Sequence, residues 1–305
     1  MKFGSVENIN GIDLSLPKDH PDTAKVLKGK ETKQFKMFVG CAKWNKQDLK
    51  NFYPKGTKDE LAYYSTQFNS IELNATFYQK YGSEQFEKWR NKTPEGFKFF
   101  PKIPQVISHV KRLNNVKGLT EEFCNSAASL EEKLGMIFLQ MNDNFKPKDY
   151  DRLEQFIVEF PKGIPLAIEL RNAEWFNNKE TADKVFRLFE KHSVSNIIVD
   201  TAGRRDIMHM RLTSPIAFVR YVGANHESDY SRLDPWIERI SSWKKQGLKE
   251  IYFFIHQNLE VESPLLSAYF IEKINASLGL DLHIPVKPEP NKAKKGKDKQ
   301  SDLFS

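Results

Sequence analysis

The sequence predicts an α/β fold, a single (β/α)8 TIM barrel. Three observations carry this. Short β-rich runs recur eight times, amphipathic helical stretches lie between them, and the first run is not followed by a glycine-rich turn. The runs are MFVGCAKW (37–44), SIELNATF (70–77), FKFFPKI (97–103), MIFLQM (136–141), PLAIELR (165–171), SNIIVDT (195–201), AFVRYVG (217–223) and EIYFFIHQN (250–258). Each is continuous rather than alternating, as expected of parallel strands covered on both faces. Between them, Leu119, Phe123, Ala127, Leu130 and Leu134 recur at helical spacing, as do Leu153, Phe156, Ile157 and Phe160. Ala182, Val185, Phe186 and Phe189 form a third stripe, and Trp236, Ile240 and Trp243 a fourth. Eight strands alternating with helices over this length suit the barrel. A doubly wound open sheet would announce itself with GxGxxG, and GCAKWNKQ offers none.

The expected organisation is an N-terminal extension (1–35), one barrel (36–284) and a flexible Lys-rich tail (285–305). An apolar fraction of 39%, with 23 Phe and 10 Tyr, is enough to fill a core. No stretch approaches the ~20 apolar residues that span a bilayer. The first residues lack the apolar run of a signal peptide, so a cytoplasmic, monomeric protein with no membrane contact is expected. Cys41 and Cys124 stand far apart and are expected to be reduced. The net charge is +7, of which residues 286–305 supply six Lys against Glu289, Asp298 and Asp302. The body's mild basic excess permits a nucleic-acid partner without demanding one.

Active sites on barrels sit at the C-terminal ends of the strands, and there this sequence is unusually polar. Strand one ends in Lys43, Trp44 and Asn45, and strand two carries Glu72 and Asn74 before Phe77 and Tyr78. Strand three ends at Lys102 with His109 shortly after, strand four at Gln140 and Asn142, and strand five at Glu169, Arg171 and Asn172. Strand six ends in Asp200, strand seven has Arg220 and Tyr221, and strand eight has His256, Gln257 and Asn258. Such groups beside a buried barrel mouth cost several kcal/mol unless paired. One or two could be structural bridges; eight strands supplying them point to a ligand site.

The segments VGCAKW…FYP, FNSIELNATFY, FKFFPKIPQVISH, LGMIFLQMNDNF, LAIELRNAEWF, FVRYVG and YFFIHQN resemble the YecE-like family, known as domain of unknown function 72. The resemblance runs from about Phe38 to about Ser277. It implies a TIM barrel with a polar cleft and names no reaction. By resemblance, Trp44, Tyr53, Glu72, Asn74, Tyr78, Lys102, His109, Gln140, Glu169, Arg171, Trp175 and Arg220 match recurrent positions. This chain departs from the pattern at Asn172, where the family has His, at RYVG for RLHG, at HQN for paired Asn, and at ND for a Pro pair.

Three chemistries suit these residues. Glu72 and Glu169 could act as general acid and base across the mouth, as in glycosidases. The alternative pairs Glu72 with Lys102 and Glu169 with Arg171 or Arg220, which would make both poor acids. Lys102 could form a Schiff base if burial lowered its pKa, although nearby glutamates would keep it charged. Arg171, Arg220, Lys102 and His109 form a cationic set suited to phosphate or carboxylate. Trp44, Tyr78, Trp175 and Tyr221 could stack a base or sugar beside it, with Asn74, Gln140 and Asn258 as polar contacts. No HExxH or CxxC is present and the seven His are scattered, so neither metal nor cofactor is expected. The stretch DTAGRRDIMHMRL after strand six is either a loop over the cleft or a solvated connection.

The tail PVKPEPNKAKKGKDK reads as a disordered linker. It ends in QSDLF (300–304), which resembles the peptide by which replication and repair proteins hold the bacterial sliding clamp. Gln300, Asp302, Leu303 and Phe304 would make that contact, with the leash raising local concentration on DNA. The function expected is therefore a DNA-maintenance factor that binds or acts on a phosphate-bearing ligand at the cleft. A non-catalytic binding module and a metal-independent sugar or isomerase enzyme using Glu72 and Glu169 remain as alternatives.

Overall fold

The computed structural model describes residues 3–31 and 34–286. The segment 300–304 and its expected clamp contact lie outside the described residues. All eight apolar runs form strands: β1 Lys36–Cys41, β2 Ser70–Leu73, β3 Lys98–Pro101, β4 Ile137–Gln140, β5 Leu166–Glu169, β6 Ser195–Thr201, β7 Ile216–Gly223 and β8 Glu250–Gln257. Every pairing is parallel. Six strands make one curled sheet in the order β1-β8-β7-β6-β5-β4, and β2 and β3 make a second.

One continuous eight-stranded sheet was expected, and the described residues form two. The reason lies in the seams. On the β1 side, the Tyr64 hydroxyl receives Cys41 N–H (2.7 Å) and donates to the Ser70 carbonyl (3.1 Å). Asn69 likewise accepts from Val39 N–H (2.8 Å) and donates to the Met37 carbonyl (2.9 Å). Side chains thus satisfy the edge groups that a neighbouring strand would otherwise take. Gly40 permits the approach, since a Cβ there would lie 2.2 Å from the Ser70 carbonyl oxygen. On the other side, β3 meets β4 through the isolated bridges Phe99–Leu134 and Lys102–Phe138.

The helical stripes fold as their periodicity dictates. Asn178 caps the helix Lys179–Lys191 by accepting from Thr181 N–H (3.1 Å), and Ala182, Val185, Phe186 and Phe189 are its buried face. Trp236, Ile240 and Trp243 are buried on Asp234–Gln246, which ends at Gly247 in the left-handed region (φ 113°). The stripe from Leu119 to Leu134 is one helix only over Lys117–Ala127; a tight 3₁₀ segment, Ala128–Lys133, follows and contains Glu131 at φ 50°.

Within the sheets a separate aromatic cluster, including Phe100, Phe138, Phe218, Tyr252 and Phe254, fills the interior. It is the floor on which the polar site stands. The N-terminal extension is tied to the body: Asp19 receives Arg239 (2.6 Å) and the Trp243 indole (3.0 Å), and the Gly4 carbonyl receives the Thr201 hydroxyl (3.0 Å). Among the described residues no helix is long and apolar enough to cross a membrane.

Candidate functional site

Parallel strands point alternate residues inward, so each strand that places an aromatic or small residue in the floor presents its next inward residue one layer higher. The pairs are Phe100 and Lys102, Phe138 and Gln140, Ala167 and Glu169, Phe218 and Arg220, and Phe254 and His256. Apolar side chains give way to charged ones within one step of the pleat, at the C-terminal ends of the strands. Glu72, from β2, joins this upper layer.

Arg220 is the hub. Its guanidinium grips Glu72 with two bonds, Nε to Oε2 (2.9 Å) and Nη2 to Oε1 (2.8 Å), and donates from Nη1 to Glu169 Oε2 (2.6 Å). Arg171 donates from Nε to the other oxygen of Glu169 (2.5 Å). Glu72 also accepts from Asn74 (2.8 Å) and from His256 Nε2 (3.0 Å). Both carboxylates are fully buried. Burial alone would raise Glu72, but Arg220 and His256 override it and hold the group well below the usual carboxylate range. For Glu169 the same contest, with Arg171 and Arg220 winning over burial, leaves it at about 2. Two ionised, fully bonded carboxylates are poor general acids.

The pairing expected between Glu72 and Lys102 is not made. The planar fork of Arg220 matches a carboxylate better than an ammonium does, and Lys102 Nζ turns instead to the amide oxygen of Gln140 (3.0 Å). That oxygen also accepts from Arg171 Nη2 (2.6 Å) and Arg220 Nη1 (3.3 Å). Three cationic groups therefore converge on one neutral acceptor. Lys102 Nζ sits 4.2 Å from the centre of the Phe77 ring. Burial, then Arg220 and Arg171, push its pKa down to about 7 against Glu72 and Glu169.

Lys102, Asn74, Phe77, Tyr78, His109 and Gln140 line a cavity of about 400 Å³ at this face. An adjoining lobe of about 590 Å³ is walled by Phe3, Gln47, Gln257, Asn258 and Leu259, among others. Lys43, Arg171, Arg220, His256 and Glu260 border both. Glu72 and Glu169 line neither, being sealed behind the arginines. Tyr78 is 71% exposed at the lip, edge-on to Phe77.

Other expected residues go elsewhere. Trp175 is fully buried, with its indole N–H on the Phe145 carbonyl (2.8 Å), and Tyr221 is equally buried, its hydroxyl on the Asp229 carbonyl (2.8 Å). Trp44 packs edge-on against Trp89, with its carbonyl accepting from the Tyr53 hydroxyl. Of the four aromatic residues expected to stack a ligand, Tyr78 alone lines the cavity. His109 lies on a π-helical turn, Val106–Val110, a rare geometry that often marks functional positions. Burial, with Lys102 and Arg171 nearby, depresses it to about 4, so it is neutral near pH 7 and adds no positive charge.

Several cleft residues carried no assigned role in the sequence reading. His256 stood unassigned beside Asn258, although its place two residues after Phe254 marks it as inward. Glu260 lies 3.9 Å from His256 Nδ1, and burial raises its pKa above the usual carboxylate value. Phe3 reaches in from the extension and lays its ring 3.5 Å from the Arg171 guanidinium carbon. Arg204, in the loop after β6, donates to the Arg171 carbonyl (2.6 Å) and pairs with Asp143 (3.2 Å), so this loop does reach the cleft rim. Away from the cleft, His20, Asp22 and Asp183 have potential ligand atoms within 4.8 Å of one another. Lys25 and Lys179 already hold the two aspartates (2.7 and 2.9 Å), which disfavours a cation there.

Comparison with known proteins settles the lineage. The family profile described as protein of unknown function DUF72 matches residues 38–292. The chain belongs to the DUF72 family. Among DUF72 relatives it is similar to the UPF0759 protein YecE of Escherichia coli K12, at 24% identity over 275 residues covering 83% of this chain and 98% of the relative. It is also similar to the UPF0759 protein YunF of Bacillus subtilis, at 30% identity over 150 residues, 46% of this chain and 52% of that one. A crystal structure of a DUF72 family protein from Enterococcus faecalis superposes with a TM-score of 0.65 at 19% identity, covering 79% of this chain and 98% of that one. This DUF72 member therefore shares the family's fold, and its chemistry has to be argued from the cleft itself.

Proposed function

We propose that the strand-end cleft binds a small anionic molecule bearing phosphate or carboxylate. The observation that carries this is the odd charge. Glu72 and Glu169 are matched by Arg171 and Arg220, whereas Lys102 shares a neutral amide oxygen with both arginines and faces the cavity. An oxyanion entering there would supply the counter-charge that Lys102 lacks. Tyr78 at the lip and the amides of Gln257 and Asn258 in the second lobe suit a polar or ring-bearing extension of the ligand. The reading takes the two sheets as one barrel wall, which the bridges at Phe99 and Lys102 and the side-chain seam at Tyr64 and Asn69 support. The sugar-hydrolase alternative is weaker, because both glutamates are ionised and spoken for. The role in DNA maintenance rests on the sequence of residues 300–304 alone.

Calorimetric titration with inorganic phosphate and glycerol phosphate tests the reading. Losing one charge-assisted hydrogen bond costs about 1.5–3 kcal/mol, so Lys102→Met should weaken binding by roughly tenfold or more. Tyr78→Ala should leave phosphate affinity unchanged and weaken ligands that carry a ring. Binding indifferent to Lys102→Met, or no binding of either anion, overturns the proposal.

A further inference from the structure

The geometry points to a covalent role for Lys102: we propose that its Nζ condenses with the carbonyl carbon of a small oxo acid held at Arg171 in the same cavity. This rests on the anion-site reading above and goes beyond it, from binding to reaction.

Three features of the cavity carry the inference. First, Lys102 Nζ is held by the Gln140 amide oxygen (3.0 Å) and by the Phe77 ring, and among the described residues no carboxylate pins it as an ammonium. Secondly, Arg171 and Arg220 donate to that same oxygen at 2.6 and 3.3 Å, crowding positive charge against the amine. Desolvation beside another cation is how an amine is made nucleophilic at neutral pH. The charged groups facing Lys102 are Arg220, Arg171, Glu72 and Glu169, with His109 on the same Phe77 ring; burial and the arginines prevail, bringing the amine to about 7. Thirdly, Arg171 borders both lobes of the cleft, and with Nε on Glu169 and Nη2 on Gln140 its Nη1 is the guanidinium nitrogen that no side chain engages among the described residues.

The step balances without a further reactant. The ammonium first gives up one proton, and the neutral amine's lone pair attacks the carbonyl carbon as the C=O π pair moves to oxygen. A proton passes from nitrogen to that oxygen, giving a carbinolamine. The proton first given up returns to the hydroxyl, which leaves as water while the nitrogen lone pair forms the C=N bond. Ammonium and ketone have become a protonated imine and water, with the charge unchanged. His109, kept neutral and bonded through Nδ1 to the Ser108 hydroxyl (2.9 Å), is suited to carry the proton between oxygen and solvent.

The test uses the full chain, pyruvate and sodium cyanoborohydride at pH 7, followed by peptide mapping. An ordinary lysine with a pKa near 10.4 is about 0.04% neutral at that pH, so Lys102 should be the first lysine alkylated, at least about tenfold ahead of any other. Inorganic phosphate should slow it, acetone should not substitute for pyruvate, and Lys102→Arg should remove the adduct while retaining the wild-type circular dichroism. Labelling spread over surface lysines, with Lys102 unmodified, overturns the inference. If phosphate binds while Lys102 stays unmodified, the anion site stands and the covalent step falls. If phosphate does not bind and Lys102 stays unmodified, both fall.

Discussion

Arg220→Met tests whether the charged layer holds the strands together. The wild-type guanidinium makes three bonds to buried carboxylates, at 2.9, 2.8 and 2.6 Å. Removing one partner of a buried pair typically costs about 3–5 kcal/mol, because the other charge stays behind. Here the stranding is partial: Glu72 keeps Asn74 and His256, Glu169 keeps Arg171, and Lys102 would recover its proton once its strongest cationic neighbour is gone. The expected loss is therefore at the low end, about 3 kcal/mol, or roughly 1 M in the urea midpoint for a chain of this size. Its pH dependence is the sharper signature. In the wild type both glutamates titrate below their unfolded value near 4.3, Glu169 at about 2, so their contribution is present above that value and is lost as pH falls through the folded pKa. Without Arg220 both groups move up, Glu72 losing its largest partner while Glu169 keeps Arg171. The folded variant then takes up protons more readily than the folded wild type, and the gap between the two should narrow from pH 7 towards pH 4. Adding Glu72→Gln and Glu169→Gln to the variant should restore part of the loss. A stability loss under ~0.5 kcal/mol, within the range of an ordinary surface change, would sink the reasoning. So would a loss independent of pH, since it would mean that packing was removed and not charge.

The remaining predictions concern Lys102 and the tail. Because the folded state depresses Lys102 to about 7, the unfolded chain binds more protons between there and about 10.4, so wild-type stability should rise with pH across that window relative to Lys102→Met; parallel urea midpoints at pH 7 and pH 9.5 would refute this. A synthetic peptide of residues 295–305 should bind a bacterial sliding clamp with a Kd near 1 μM, about −8 kcal/mol, and Leu303→Ala with Phe304→Ala should abolish the fluorescence-anisotropy signal. Binding that survives the double change and vanishes with the lysines would make the tail an electrostatic arm only.

Strand existence was legible because each run is short, apolar and bounded by turn residues. The strand-end polarity was also legible, since Glu72, Lys102, Glu169 and Arg220 stand where apolar residues would otherwise continue. What sequence spacing did not reveal was partner choice. Glu72 is two residues from Asn74 and 148 from Arg220, yet bonds to both; that depends on which strand ends the curl brings together. The even apolarity of the runs also hid the inward alternation, because their outward faces are covered by helices and equally apolar. Only at the last inward position does the pattern break, and His256 was legible there in principle through its spacing from Phe254. Trp175 illustrates the opposite error. Its position beside the strand-five loop suggested a ligand platform, but an indole whose N–H finds the Phe145 carbonyl stacks into the core instead. The reach of Phe3 into the cleft is a contact over some 170 residues of sequence, and nothing local encodes it.

A purely structural network of buried charge would be expected to close on itself, since each uncompensated charge in such a place is costly. The two glutamates at its centre do close: every carboxylate oxygen of Glu72 and Glu169 receives at least one donor. Lys102 is the member that does not. Replacing it with methionine would preserve the packing on Phe77 and free the Gln140 oxygen for the two arginines, so stability alone gives no reason to place a lysine there. The tension has two outlets, loss of a proton or arrival of an anion. A proton-free amine is a nucleophile, and a charged one is a counter-ion. Both outlets are useful only if a ligand comes to the cavity, and the arginines that create the tension are also the groups that would orient it.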